Sequence, residues 1–235
     1  MFLFLASVLA IAVRPPYRLR NILKQIQFIG VRSLFVIILT AIFAGMVLAL
    51  QGYYTLTRFG AEGLLGPAVA LSIIRELGPV LSGLMVTGRA GSALAAELGI
   101  MRIREQVDAL EVMGIAPLQF LIAPRIIAGL LSMPILTVIF DVIGILGGYL
   151  VAVQLLEMSS GVYFSGIESA VVMRDIVTGL VKAVSFGLIV TWVCTFKGYY
   201  ARRGAEGVSQ ATTSAVVLSS VLILVCDYFI TSILL

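Results

Sequence analysis

Apolar residues run in five long stretches, separated by shorter segments that hold most of the charged residues. The stretches cover residues 33–57, 63–98, 126–156, 176–197 and 210–235. Because an α-helix rises about 1.5 Å per residue, about 20 residues cross the roughly 30 Å of hydrocarbon in a bilayer. Each stretch reaches that length. The pattern predicts an all-α membrane protein with five transmembrane helices in a single domain, residues 1–235, without internal repeats.

The chain before the first stretch, residues 1–32, has a different pattern. Residues 1–13 are apolar but too few to span a bilayer, and no positively charged region precedes them as in a signal peptide. Residues 17–28 form a basic amphipathic stretch. We expect this region to form an N-terminal interfacial or re-entrant helix against the cytoplasmic leaflet.

A shorter amphipathic pattern covers residues 103–115, between the second and third stretches. Ile103, Val107, Leu110 and Gly114 fall on one helical face. The pattern predicts a short helix that is tied to membrane helices at both ends. Such a helix can transmit a push from a soluble partner into the membrane; a surface helix that only rests on lipid headgroups is the alternative.

Composition and charge agree with a lipid environment. Hydrophobic residues make up 60% of the 235 residues and charged residues 12%, about half the share of a soluble domain. The net charge of +4 comes from basic residues grouped in alternate connections, which is typical of cytoplasmic loops rather than of nucleic-acid binding. These basic residues are Arg14, Arg18, Arg20, Lys24, Arg32, Arg89, Arg102, Arg104, Arg125, Lys197, Arg202 and Arg203. We predict a cytoplasmic N-terminus, a periplasmic C-terminus, and a short periplasmic helix in the longest external connection, residues 157–175.

The sequence lacks the residues of several common chemistries. It has no histidine, no GxxxxGK[ST] phosphate-binding loop and no GxSxG nucleophile motif. Its two cysteines, Cys194 and Cys226, lie in apolar stretches and are expected to pack as small residues. We expect no catalytic site, metal or cofactor in this chain.

Charged residues inside the apolar stretches are the strongest candidates for function. Arg75 and Glu76 lie roughly 12 residues into the second stretch, about 18 Å along the helix and so near the middle of the bilayer, and Pro79 follows them. A charge at that depth costs at least about 2.5 kcal/mol unless it faces a cavity or an opposite charge. Two interpretations stay open: an internal ion pair that fixes helix packing, or the polar lining of a lipid cavity in which Arg75 meets a phosphate.

Three more charges, Asp141, Lys182 and Asp227, lie in the third, fourth and fifth stretches. Lys182 and Asp227 are at similar distances from the outer ends of their helices, so we hypothesise a cross-helix ion pair. Small residues at four-residue spacing, such as Gly144 and Gly148, predict close contact between helices.

Several sequence motifs resemble those of the MlaE/YrbE permease family, the membrane components of MCE-type phospholipid ABC transporters. They are LQGY (50–53), RELGPV (75–80), GRAGSALAAELG (88–99), ALEVMGIAPLQFLIAPR (109–125) and DVIGILGG (141–148). The resemblance covers nearly the whole chain. It implies a homodimer bound to two MlaF-like ATPase subunits that hold ATP and Mg, with an MlaB-like STAS protein and an MlaD-like hexameric MCE protein as further partners.

The resemblance also implies roles for individual residues. Residues 103–115 would be the coupling helix, and its contacts with the ATPase would come from Arg104, Glu105, Asp108, Glu111 and Met113. The lipid cavity would be lined by Leu56, Phe59, Arg75 and Glu76, with phenylalanine at 59 where some relatives have tyrosine. A membrane polar network would consist of Asp141, Asp175, Lys182, Asp227 and Thr231.

The sequence therefore predicts the permease subunit of a transporter that moves phospholipids between the bacterial inner membrane and a periplasmic MCE protein, maintaining outer-membrane lipid asymmetry. Two alternatives stay open. One is an ion-coupled secondary transporter that uses Asp141, Lys182 and Asp227 as a relay. The other is a membrane anchor for an MCE protein that does not itself move lipid.

Overall fold

The computed structural model describes residues 1–12 and 19–234, and every regular element among them is a helix. The α-helices are α1 (Phe2–Ala12), α2 (Leu19–Ile29), α3 (Leu34–Thr57), α4 (Leu65–Ser72), α5 (Gly78–Val86), α6 (Ser92–Ile103), α7 (Gln106–Val112), α8 (Ala123–Tyr149), α9 (Ser160–Ala170), α10 (Met173–Tyr199) and α11 (Ala205–Leu234). The prediction of an all-α protein is confirmed for this part of the chain. Arg14 and Arg18, two of the basic residues used to predict topology, and Leu235, the last residue of the fifth predicted stretch, lie outside the described residues.

Among the described residues, five helical stretches are long and apolar enough to cross a membrane, which confirms the predicted number. They are Leu19–Thr57, Glu62–Ile103, Leu118–Leu155, Met173–Tyr199 and Ala205–Leu234. Short turns of 3-10 or π helix lie within the first three stretches or at their ends, at Val31–Ser33, Glu62–Leu64, Ile73–Leu77, Thr87–Gly91, Leu118–Ile122 and Leu150–Leu155. The chain is a multi-pass membrane protein.

Glycines bring the membrane helices into backbone contact, as their spacing predicts. Where α3 crosses α8, a Cβ added to Gly45 would lie 1.8 Å from the carbonyl oxygen of Gly144. Where α10 crosses α8, a Cβ added to Gly187 would lie 2.7 Å from the carbonyl oxygen of Gly129. No side chain fits at these distances without moving the helices apart. Helix α8 therefore packs closely against both α3 and α10.

The two ends of the bundle carry different short helices, and we name the ends after them. At the α7 end, the chain leaves α6 and turns at Glu105, whose φ is +56°. Helix α7 consequently begins at Gln106, three residues later than the periodicity predicts. Val107 and Leu110 are buried, in agreement with the amphipathic pattern, and Gly114 ends the segment with a φ of +73°.

At the α9 end, Tyr163 fixes α9 against the membrane helices, so the short helix expected within residues 157–175 is firmly packed. The side chain of Tyr163 is fully buried, and its hydroxyl donates to the carbonyl of Ile145 at 3.1 Å. Burial raises the pKa of Tyr163 to about 12. The hydroxyl therefore keeps its proton, and this hydrogen bond persists, over the ordinary pH range.

Helix α1 packs at the α7 end of the bundle, against α8 and the π turn Leu118–Ile122. The ring of Phe4 meets that of Phe196, near the end of α10, edge to face with 5.3 Å between centroids. The placement of α1 at a membrane surface stays a prediction.

Candidate functional site

The second membrane helix changes its hydrogen bonding in the π turn Ile73–Leu77, which holds Arg75 and Glu76. Two residues further on, Pro79 has no N–H group, so the carbonyl of Arg75 lacks the α-helical donor four residues ahead. The ammonium of Lys182, on α10, donates to that carbonyl at 2.9 Å. The proline thus leaves a backbone acceptor free, and a buried lysine from another helix satisfies it.

Lys182 is fully buried and lies between two carboxylates. Its Nζ is 2.5 Å from Glu76 Oε2 and 2.9 Å from Asp227 Oδ1. The hypothesis of a contact between Lys182 and Asp227 is confirmed, and Glu76 is an additional partner. Thr231, one turn after Asp227, donates to Glu76 Oε1 at 3.2 Å. Because a buried charge requires counter-charges, these contacts tie the second membrane helix, α10 and α11 together at one level.

Arg75 is anchored to the first turn of α10. Its Nε donates to Asp175 Oδ1 at 2.7 Å, while Asp175 Oδ2 accepts the N–H of Val172 at 3.1 Å and so caps the helix. The Asp175 side chain is 6% exposed and the Arg75 side chain 41%. One edge of the guanidinium is therefore held by Asp175, and the remainder faces open space. Arg75 lies at the level of the first turn of α10, at the α9 end of the bundle, and not at the level of the middle of α10.

We call the connected residues the network: Arg75, Glu76, Asp175, Lys182, Asp227 and Thr231. A cavity of about 440 Å³ opens beside it. Its lining residues are Leu71, Ser72, Arg75, Glu76, Val172, Arg174, Asp175, Thr178, Thr231 and Leu234. The lining holds two arginines, two carboxylates and three hydroxyls beside aliphatic side chains. Both carboxylates are engaged, Asp175 by Arg75 and Glu76 by Lys182, so the donors left for a ligand are the outer edge of Arg75, Arg174 and the hydroxyls, which suit an anionic or polar head with an apolar body.

Sequence reasoning missed three polar residues of the cavity, Ser72, Arg174 and Thr178. Helical spacing was the signal that could have found them. Ser72 precedes Glu76 by four residues, and Thr178 and Arg174 precede Lys182 by four and eight, so each shares a helix face with a predicted residue.

Asp141, predicted as part of the same network, lies apart from it. It packs on α8 against the backbone of α5, where a Cβ on Gly78 would collide with Asp141 Oδ1. This buried oxygen has no hydrogen-bond partner among residues 1–12 and 19–234. Asp227 Oδ1 also lacks a well-oriented hydrogen bond among these residues, but it lies 2.9 Å from the Lys182 ammonium, whereas Asp141 has no such counter-charge among them.

The predicted cavity residues separate into two pairs. Arg75 and Glu76 line the cavity beside the network. Leu56 and Phe59 lie at the end of α3 and beyond it, where Phe59 is 79% exposed, and neither is part of this lining. The role of all four in binding a ligand stays a prediction.

The residues predicted to contact a partner lie at the opposite end of the bundle, in or next to α7. Arg104, Glu105, Glu111 and Met113 are exposed. Asp108 is half-buried and paired with Arg102 at 2.5 Å. Their role in docking stays a prediction as well.

Known proteins and one protein-family model match the chain over most of its length. The family model described as permease MlaE matches residues 22–233. A probable ABC transporter permease protein of Rickettsia felis is 47% identical over 97% of this chain and 88% of its own length. The intermembrane phospholipid transport system permease protein MlaE of Haemophilus influenzae is 48% identical over 91% of this chain and 82% of its own length. The chloroplastic protein TRIGALACTOSYLDIACYLGLYCEROL 1 of Arabidopsis thaliana is 38% identical over 91% of this chain and 61% of its own length.

Proposed function

Because the chain belongs to the MlaE permease family, we propose that it is the permease subunit of an ABC transporter that moves phospholipids. The observation that carries the proposal is the cavity at the α9 end, where the half-exposed guanidinium of Arg75 lies beside aliphatic residues. A guanidinium has several N–H donors in one plane and can donate two parallel hydrogen bonds to two oxygens of one phosphate. The aliphatic lining suits acyl chains.

The α7 end is the proposed site of energy input. Helix α7 joins the membrane helices on both sides, and its end exposes the apolar residues Val112 and Met113 to 89% and 64%. Exposed apolar side chains beside charged ones are typical of a surface that docks on another protein. We assign this surface to an ATPase subunit that binds ATP and Mg, in a homodimeric complex with a STAS protein and an MCE protein.

In this proposal the α7 end faces the cytoplasm and the α9 end the periplasm of a bacterial inner membrane, in agreement with the distribution of basic residues. Closure of the ATPase subunits pushes on α7 and reshapes the cavity, and lipid passes to or from the MCE protein. The physiological role is the maintenance of outer-membrane lipid asymmetry.

The decisive experiment reconstitutes the chain with its ATPase in vesicles and measures transfer of a fluorescent phospholipid to the purified MCE protein. Arg75→Ala should slow ATP-dependent transfer about tenfold or more, since a hydrogen bond to a charged group contributes about 1.5–3 kcal/mol. Arg58→Ala is the matched control, because Arg58 is also exposed near the α9 end but lies outside the cavity lining.

Three results would contradict the proposal. Transfer that an ion gradient drives without the ATPase would indicate a secondary transporter. Intact assembly with no ATP-dependent transfer would indicate an anchor. Equal transfer by the Arg75→Ala and wild-type proteins would remove the assigned role of Arg75.

A further inference from the structure

A groove lies at the α7 end of the bundle, between the polar face of α2 and the neighbouring parts of α6 and α8. It consists of two adjoining cavities of about 290 and 180 Å³, both lined by Lys24, Gln25 and Glu97. Arg32 lines the larger cavity and Arg125 the smaller one. The groove is at the opposite end of the molecule from the network, and the proposed function above does not use it.

The groove holds more positive than negative charge. Lys24, Arg32 and Arg125 line it, Arg89 lies directly behind it, and Glu97 is the one carboxylate among the described lining residues. Glu97 is already engaged, because its Oε1 lies 3.1 Å from Arg125 Nη2. Arg125, in the first turn of α8, is only 3% exposed, although arginine side chains at helix ends normally extend into water. A local excess of three positive charges therefore remains uncompensated by these residues.

Phe28 brings two of these cations together at the edge of the groove. The guanidinium carbons of Arg89 and Arg32 lie 5.2 Å and 5.6 Å from the centroid of its ring. Arg89 is fixed there, since its Nη1 donates to the carbonyl of Phe28 at 2.5 Å and to Ser33 Oγ at 3.2 Å. Two like charges on one ring repel each other, and an anion bound between them and Lys24 would offset that repulsion.

The outer face of α2 indicates where the anion comes from. Leu19 and Leu23 are 68% and 65% exposed, on the side of α2 that carries no charge, whereas Lys24 and Gln25 line the groove. An amphipathic helix with such a face lies in the boundary between headgroups and acyl chains. The groove therefore opens at the level of lipid headgroups, where basic pockets between helices bind anionic lipids.

We propose that this groove binds the phosphodiester headgroup of a phospholipid in the leaflet at the α7 end. It is a second lipid site, separate from the cavity beside Arg75. The proposal rests on the proposed function only for the identification of that leaflet as the inner one.

The test measures equilibrium binding of fluorescent phosphatidylglycerol to the purified full chain in detergent, without the ATPase. The variant Lys24→Gln/Arg32→Gln removes two exposed cations of the groove. The matched control Arg202→Gln/Arg203→Gln removes two exposed cations from the α10–α11 connection at the same end. Affinity should fall roughly fivefold per groove cation, about 25-fold for the pair, and remain unchanged in the control.

Each alternative gives a distinct contrary result. Equal weakening in both double variants would show general charge attraction. Loss of binding in Arg75→Ala, with none in the groove variant, would place the lipid in the other cavity. Displacement of the lipid by inorganic phosphate at equal concentration would show a site for free phosphate. Unchanged lipid binding in the groove variant would remove the lipid site, and loss of ATPase copurification by that variant in a separate experiment would show a protein-docking surface instead. The assay measures binding and not transport. Its result can therefore be interpreted even if the proposed transport function is wrong.

Discussion

The network and the groove both hold charges in or beside membrane helices, but their charges balance differently. In the network, the two cations Arg75 and Lys182 meet three carboxylates, and each cation has a partner within 3 Å: Asp175 at 2.7 Å and Glu76 at 2.5 Å. In the groove, three cations line the cavities and Arg89 lies behind them, while Glu97, the one carboxylate among the described lining residues, pairs with Arg125. The network thus has no excess of positive charge, whereas the groove has three cations more than carboxylates.

The difference shows what each region can contribute. Charges that are paired across helices fix the relative positions of those helices and lose free energy when one partner is removed. Cations in excess contribute little to the fold and remain available to an external anion. Removing the buried cation Lys182 from the network should therefore cost stability, whereas removing an exposed cation from the groove should cost ligand affinity; Arg75, which is half-exposed to the cavity, combines the two roles.

The largest effect is expected for Lys182→Met, which keeps the length of the side chain but removes its charge. Glu76, Asp227 and the carbonyl of Arg75 would lose their common partner. Breaking a buried ion pair costs about 3–5 kcal/mol, and the lower end applies because the Glu76 side chain is 41% exposed. We expect a loss of about 3 kcal/mol in the free energy of unfolding, measured by denaturant titration in detergent.

The matched control makes the same exchange in the groove. Lys24 is exposed, so Lys24→Met should change the free energy of unfolding by no more than about 0.5 kcal/mol. Equal losses in the two variants would mean that the contrast between the regions is wrong.

A smaller change in stability is expected when the charges of Lys182 and Asp227 are exchanged. Lys182→Glu combined with Asp227→Lys restores an opposite-charge pair across α10 and α11, but the introduced glutamate then faces Glu76. The double variant should recover about 1–2 kcal/mol of the stability lost in Lys182→Glu, and no more. Adding Glu76→Gln should recover a further part, because it removes the repulsion. Complete recovery in the double variant would show that Glu76 does not belong to the network.

The sequence predicts some of these features because their signals are local. Five long apolar stretches indicate five membrane helices, and the distances of Lys182 and Asp227 from their helix ends place the two side chains at one level. The spacing of Gly144 and Gly148 similarly indicates a close crossing with another helix.

Other features depend on geometry that hydropathy does not encode. The contact of Lys182 with Glu76 depends on the π turn Ile73–Leu77, which rotates the helix after it. The start of α7 depends on a left-handed backbone at Glu105, a residue type that carries no turn signal. The level of Arg75, at the first turn of α10, follows from where α9 ends and α10 begins, and not from the length of the second stretch.

The smallest effect is expected for Asp141→Asn. This variant tests whether the contribution of a charged residue in a membrane helix to the free energy of unfolding depends on its partners or on its burial. Asp141 Oδ1 is buried against α5 without a hydrogen-bond partner in the described part of the chain, so its charge gains nothing to offset desolvation. A neutral amide of the same shape should change the free energy of unfolding by less than about 1 kcal/mol in either direction. Asp227→Asn, the matched variant, takes a counter-charge from Lys182 and should cost more, about 1–2 kcal/mol. Denaturant titrations of both variants at pH 7 in one detergent check the order. If Asp141→Asn costs as much as Asp227→Asn, the Asp141 carboxylate has a partner in the membrane-embedded protein, and burial alone does not separate the two aspartates.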